Sequence, residues 1–164
     1  MQRAAAIIGS AIFLVIAPGT LAVYIPWSLT HWQFAPALFP AARVLGAALV
    51  AAGLPILLDS FSRFALQGLG TPAPVMPPKR LVVTGLYRYV RNPMYVAVTA
   101  LIAGQGFLFG SITVLEYGAI LWGAFFLFVV AYEEPTLEAQ FGDEYQCYRA
   151  NVRRWIPRIT PWRG

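Results

Sequence analysis

Uncharged apolar runs dominate this chain, and their lengths set the first expectation. Residues 4–27 contain no charged side chain and exceed the roughly 20 residues that a helix needs to cross a bilayer. A second run covers 41–58, with Arg43 near its start and Asp59 closing it. A third covers 94–109 and a fourth 112–132, separated by Gly110-Ser111. The pattern predicts an all-α integral membrane protein of about four transmembrane helices, the last two forming a tight hairpin. Pro18-Gly19 and Pro55 are expected to bend the first and second spans. Gly104-Gln105-Gly106 is expected to interrupt the third and to leave a gap between helices for an apolar chain. Glu116 falls near the outer end of the hairpin. The first run is longer than the 7–15-residue core of a signal peptide, so it reads as a retained span. Tyr24, Trp27 and Trp32 read as an interfacial aromatic belt.

Between the second and third spans, residues 68–78 hold four prolines and two glycines, which predicts extended, turn-rich chain. After the fourth span, Pro135 suits the first turn of a new helix. Leu137, Phe141, Tyr145, Tyr148 and Val152 then recur at helical spacing, with Glu138, Asp143 and Glu144 early and Arg149 late, as the helix dipole favours. Periodicity alone reads this as a surface-lying amphipathic helix. Arg153, Arg154, Arg158 and Arg163, interleaved with Trp155 and Trp162, would follow near lipid headgroups.

Composition agrees. The 164 residues are 59 % hydrophobic and 12 % charged, with a net charge of +5; soluble domains carry about 25 % charged residues. The basic residues flank apolar spans, which points to anionic lipid rather than nucleic acid. Arg63, Lys79, Arg80, Arg88 and Arg91 lie between the second and third spans, and five arginines lie in the tail. The positive-inside rule therefore puts both termini and this loop in the cytoplasm. Cys147 is the one cysteine, so no intramolecular disulfide can form, and His31 is the one histidine. No histidine-based triad or histidine-rich metal site is possible, and no phosphate-binding glycine motif is present.

Two clusters remain for chemistry. In the first, Pro93 makes Asn92 a natural N-cap of the third span, with Arg88 and Arg91 beside it; a helix N-terminus with arginines is an anion-binding arrangement. In the second, Glu133 and Glu134 close the fourth span, whose one charge is Glu116 near its far end. The hairpin brings the start of the third span beside the end of the fourth, so Arg91, Asn92 and Tyr95 should meet Glu133 and Glu134 in a polar pocket. Taken without their neighbours, these clusters also read as a positive-inside anchor and a solvated helix boundary.

The run from Gly85 to Tyr95, then Glu133-Glu134 followed by Leu137, Phe141-Gly142, Tyr145 and Tyr148, and finally Trp155-Ile156-Pro157, resembles the signature of isoprenylcysteine carboxyl methyltransferases and phospholipid methyltransferases. The resemblance covers residues 68–157, and the short chain is similar to bacterial-type members, which implies a bacterial inner membrane. It implies one membrane methyltransferase domain over 1–164, with a cofactor-binding loop at 67–93 and the tail at 133–164. The implied cofactor is S-adenosylmethionine, held by Arg91, Asn92, Tyr95, Glu133 and Glu134, with a loose match at Gly68 and Gly70. Arg91 and Glu134 are the candidate catalytic residues. Arginines can take the cofactor carboxylate, Glu133 or Glu134 its ammonium or ribose hydroxyls, and the faces of Tyr95 or Tyr148 its sulfonium. Asn92 stands where prenylcysteine enzymes usually have His, and Asn151 and Arg153 where relatives often have Arg and Pro, which favours a phospholipid or amine acceptor. The acceptor is expected to be lipid-like or a small hydrophobic molecule at the cytoplasmic face. The rival readings are a nicotinamide-dependent membrane reductase and a non-catalytic accessory protein.

Overall fold

The computed structural model describes residues 2–63, 66 and 80–164, with side chains from Ile7 onward. Gly68, Gly70, Lys79 and the proline-rich segment lie outside the described residues. The helices are α1 (Gln2–Gly19), α2 (Ile25–Thr30), α3 (Ala42–Arg63), α4 (Pro93–Phe109), α5 (Ile112–Phe128) and α6 (Glu134–Asn151). A π-helical turn, Thr20–Tyr24, joins α1 to α2, and a second, Val129–Glu133, joins α5 to α6. Three continuous helical stretches, Ile7–Thr30, Ala42–Arg63 and Ile112–Asn151, are long and apolar enough to cross a membrane, and α4 is a shorter apolar helix. At 17 residues α4 is about 25 Å long. Val15, Ile120 and Leu127 are 72 %, 74 % and 68 % exposed. Such outward apolar surface would be costly in water and is what lipid tails solvate.

The core forms around α4. Its Ala97, Val98, Leu101 and Ile102 are buried against Leu57 and Phe61 of α3, Ala22 of the first π-turn and Val114 of α5. The hairpin is as tight as its sequence predicts. Gly110 takes a left-handed conformation (φ 72°) and returns its N–H to the Gly106 carbonyl, and the Ser111 hydroxyl accepts from the Val114 N–H. A side chain at Gly110 would strike the Pro36 carbonyl oxygen.

Several expectations are corrected. The third span is not interrupted: α4 runs unbroken through Gly104 and Gly106. A Cβ at Gly46 of α3 would stand 2.6 Å from the Gly104 oxygen, and one at Gly106 would stand 2.5 Å from Leu115 of α5. The glycines therefore let α3 and α5 approach and close the expected gap. Gln105 donates to the Ala22 carbonyl at 2.6 Å. Pro26 explains that bond, because it lacks the N–H that would have served this oxygen. Helix α3 continues past Leu58 to Arg63, where Arg63 pairs with Asp59 at 2.8 Å. Pro135 stands in the first turn of α6, as its sequence predicts, and the second π-turn joins that helix to α5 without a break.

The tail departs further. Non-helical Gly142 (φ 50°, ψ −125°) breaks the expected amphipathic helix, and Val152 lies just past its end. Its aromatic face does not lie on lipid. Tyr145, Tyr148 and Val152 are buried with Leu81, Val83, Leu137, Phe141 and Trp162. Nor is the arginine- and tryptophan-rich end spread along headgroups. The N–H groups of Arg91, Arg158 and Trp162 bond the carbonyls of Arg153, Tyr89 and Arg88, each at 2.9 Å, strapping the end of the chain to residues 88–91.

Candidate functional site

Three segments converge at the charged end of the bundle. A 3₁₀ turn, Gly85–Arg88, leads to Arg91 and Asn92 at the start of α4; the second π-turn ends in Glu133 and Glu134; and the strapped tail supplies Arg153 to Trp155. The hairpin does bring Arg91 and Tyr95 to the glutamates, while the Asn92 side chain turns to the Arg154 carbonyl.

The two carboxylates have different partners. Glu133 accepts a 2.7 Å hydrogen bond from the Tyr95 hydroxyl. Its carboxyl is pushed up, by burial first; the Tyr95 bond and Arg91 pull the other way, and neighbouring Glu134 adds to the rise. Glu134 is 5 % exposed and binds two arginines. Arg154 grips both oxygens, Nε to Oε1 at 2.6 Å and Nη2 to Oε2 at 2.9 Å, and Arg91 Nη2 reaches Oε1 at 3.1 Å. Burial alone would push this carboxyl up, but the Arg154 hydrogen bonds and the charges of Arg91 and Arg154 outweigh it and hold it below the usual range. The same hydrogen bond pushes the Arg154 guanidinium up.

Arg91 also donates Nη1 to the Tyr145 hydroxyl at 3.1 Å, while its Nε is buried with no hydrogen-bond partner among the described residues. A buried guanidinium N–H without an acceptor is costly and marks a place where a ligand can supply one. Asn92 occupies the N-cap position, but its side chain makes no cap. Its Nδ2 donates to the Arg154 carbonyl at 3.2 Å, so it pins the tail and leaves the first turn of α4 without a side-chain acceptor. Tyr148 is 3 % exposed, donates to the Tyr87 carbonyl at 2.7 Å and packs its ring tilted against Trp162. Burial pushes its hydroxyl up. The Tyr95 ring lies 4.8 Å from Phe125. Trp155 packs on Trp122 at 4.6 Å and on Phe126, and Arg154 sits over Phe126 at 5.7 Å.

Sequence reasoning missed Arg154 and Tyr145 as members of this cluster. Arg154 lies 20 positions beyond Glu134, and no local periodicity relates them. The available signal was charge balance: two carboxylates closing an apolar span need more than the single cation Arg91.

A family model of phospholipid methyltransferases matches residues 41–144. The chain is 39 % identical over 80 residues to the protein-S-isoprenylcysteine O-methyltransferase of Schizosaccharomyces pombe, covering 48 % of this chain and 34 % of that protein. It is 55 % identical over 29 residues to an uncharacterised protein of Haemophilus influenzae, covering 18 % of this chain and 46 % of that one. The chain thus spans between a third and a half of the length of these relatives. The family match takes in Arg91, Asn92, Tyr95, Glu133 and Glu134 and stops short of the tail strap. With more than half of its length matched, the chain belongs to the phospholipid methyltransferase family.

Proposed function

We propose that this protein uses S-adenosylmethionine to methylate a lipid-like or small hydrophobic acceptor, at a site facing the cytoplasm. The observation that carries the reading is one juxtaposition: Glu133 on the Tyr95 hydroxyl, next to Arg91, whose buried Nε has no partner among the described residues, at the uncapped start of α4. The residues fit the cofactor. The Arg91 Nε and the first-turn N–H groups of α4 suit its carboxylate. Glu133, anchored through Tyr95, suits its ammonium or ribose hydroxyls, and the Tyr95 ring its sulfonium. Glu134 is saturated by two arginines, so its part is to fix Arg91. When bound, the cofactor supplies a methyl group activated by the sulfonium. The chain's contribution is to hold donor and acceptor in line, where positioning lowers the barrier most. A carboxylate acceptor needs no base. An amine acceptor must lose a proton before it attacks.

The acceptor is read as a membrane molecule because the surface beside Glu134 is aromatic, with Phe126 exposed and Trp122 and Trp155 half-buried against it and each other. Asn92 favours a phospholipid or amine, whereas the Schizosaccharomyces pombe relative is named for isoprenylcysteine. Calorimetry of the purified protein should show binding of S-adenosylmethionine and none of a nicotinamide cofactor. Glu133→Gln should weaken that binding by roughly ten- to hundredfold, as for the loss of a hydrogen bond to a charged group, without lowering Tm. Labelled methyl transfer to lipid extracts, prenylcysteine analogues and water-soluble amines then sorts the acceptor. Turnover of soluble amines alone excludes a membrane acceptor, and turnover of prenylcysteine alone overturns the argument from Asn92. Binding of the nicotinamide cofactor alone would make the chain a reductase, and binding of neither an accessory protein.

A further inference from the structure

We infer that Arg154 is a positioning residue that keeps Arg91 free to bind an anion, by occupying the carboxylate on which Arg91 would otherwise close. The inference rests on the reading of Arg91 as a cofactor ligand given above. An arginine beside a buried carboxylate ordinarily makes a two-pronged pair. Arg91 does not. Arg154 takes that place, with Nε and Nη2 on the two oxygens of Glu134 at 2.6 and 2.9 Å. Arg91 is left a single lateral contact, Nη2 to Oε1 at 3.1 Å, and turns Nη1 to Tyr145. Its Nε therefore has no partner among the described residues, although the side chain is 9 % exposed.

Arg154 is itself fixed from three sides. Its carbonyl accepts from Asn92, its guanidinium lies over Phe126, and the Arg91 N–H bonds the preceding carbonyl, that of Arg153. The tail thus reaches the site through a competition between two guanidinium groups for one carboxylate. Without Arg154, Glu134 would offer both oxygens to Arg91, and the fork would use the N–H that the ligand needs.

The decisive experiment compares S-adenosylmethionine affinity, by calorimetry in detergent, among wild type, Arg154→Leu, Arg154→Lys and the double variant Arg154→Leu/Glu134→Gln. Arg154→Leu should bind roughly tenfold more weakly, the size expected for coupled members of one network. Arg154→Lys, with one prong, should fall between it and wild type. The double variant should recover part of the loss, because a neutral amide no longer captures Arg91. A tail that merely holds the fold predicts the reverse, with the double variant as weak as Arg154→Leu or weaker, and that result overturns the inference. So does unchanged affinity in Arg154→Leu. If Arg154→Leu does not fold, Arg154→Lys against Arg154→Lys/Glu134→Gln decides by the same recovery. A second readout needs no cofactor: the Arg91 Nε–H resonance, assigned with Arg91→Lys, should shift and gain exchange protection in the Arg154 variants. If wild type binds no S-adenosylmethionine, the functional reading fails, and this resonance still decides the positioning. An unmoved signal rejects it.

Discussion

The wide turns at Thr20–Tyr24 and Val129–Glu133 are built alike. Each is five residues long and runs into a helix with proline at its second position, Pro26 in one case and Pro135 in the other. In each, the first N–H of the following helix reaches back five residues, from Ile25 to Thr20 and from Glu134 to Val129. Proline has no N–H and its ring crowds the carbonyl four residues earlier, and widening the turn relieves both problems. The outcomes differ because the surroundings differ. The first turn lies among apolar helices, where freed carbonyls must find donors. Tyr117 of α5 serves Leu21 at 2.9 Å and Gln105 of α4 serves Ala22 at 2.6 Å, so the turn becomes a lock between helices. The second lies where the apolar run ends, and it delivers adjacent carboxylates to different partners, Tyr95 for one and two arginines for the other. One backbone device thus serves packing in one place and the candidate site in the other.

The most severe way to break this contrast is Glu134→Ala. It takes the ion-pair partner from the buried Arg91 and the half-buried Arg154 and should cost about 3–5 kcal/mol. It should also weaken S-adenosylmethionine binding. Denaturant unfolding in detergent, paired with calorimetry, checks both effects. A stable variant with wild-type affinity would detach the second turn from any site.

Acid probes the same contact more gently. The Glu134 carboxyl titrates below its ordinary value of 4.5 in the folded protein. Its contribution to stability is therefore complete above that pH and is lost as pH falls through the lower, folded value. Melting temperatures taken from pH 7 down to pH 3 should fall at the acid end, and the part due to Glu134 should vanish in Glu134→Gln. Equal acid sensitivity in both proteins would assign the effect to other carboxylates.

Gln105→Leu tests the lock. It strips the Ala22 carbonyl of its donor and should destabilise the bundle by about 0.6 kcal/mol, up to about 1.7, the range of hydrogen bonds between membrane helices. Cofactor affinity should not change, and a clear loss of binding would mean that the two turns are coupled. The mildest pair is Pro26→Ala against Pro135→Ala. The first restores an N–H near Ala22 and should alter stability by less than about 1 kcal/mol, with affinity unchanged. The second lets the helix around Glu133 and Glu134 tighten, and should weaken binding several-fold. The same effect on affinity from both would erase the distinction.

The sequence by itself determined the helical membrane class, the tight hairpin and the meeting of Arg91 and Tyr95 with the glutamates. Each follows from short-range rules: apolar runs longer than a bilayer, a Gly-Ser turn too short for anything but antiparallel neighbours, and the geometry of a hairpin's open end. What it left undecided depended on contacts across the fold. Gly104 and Gly106 read as an interruption because glycine weakens an isolated helix, whereas in the bundle they are where α3 and α5 approach. The aromatic face of α6 suits lipid or protein equally by periodicity, and the strap of the chain's end onto residues 88–91 turned it toward protein. Glu133 and Glu134 are indistinguishable as neighbours in a sequence. Only the tertiary structure gave one a tyrosine and the other two arginines, because the partner that saturates Glu134 arrives from a tail segment whose path is set by backbone hydrogen bonds, which any residue but proline can donate.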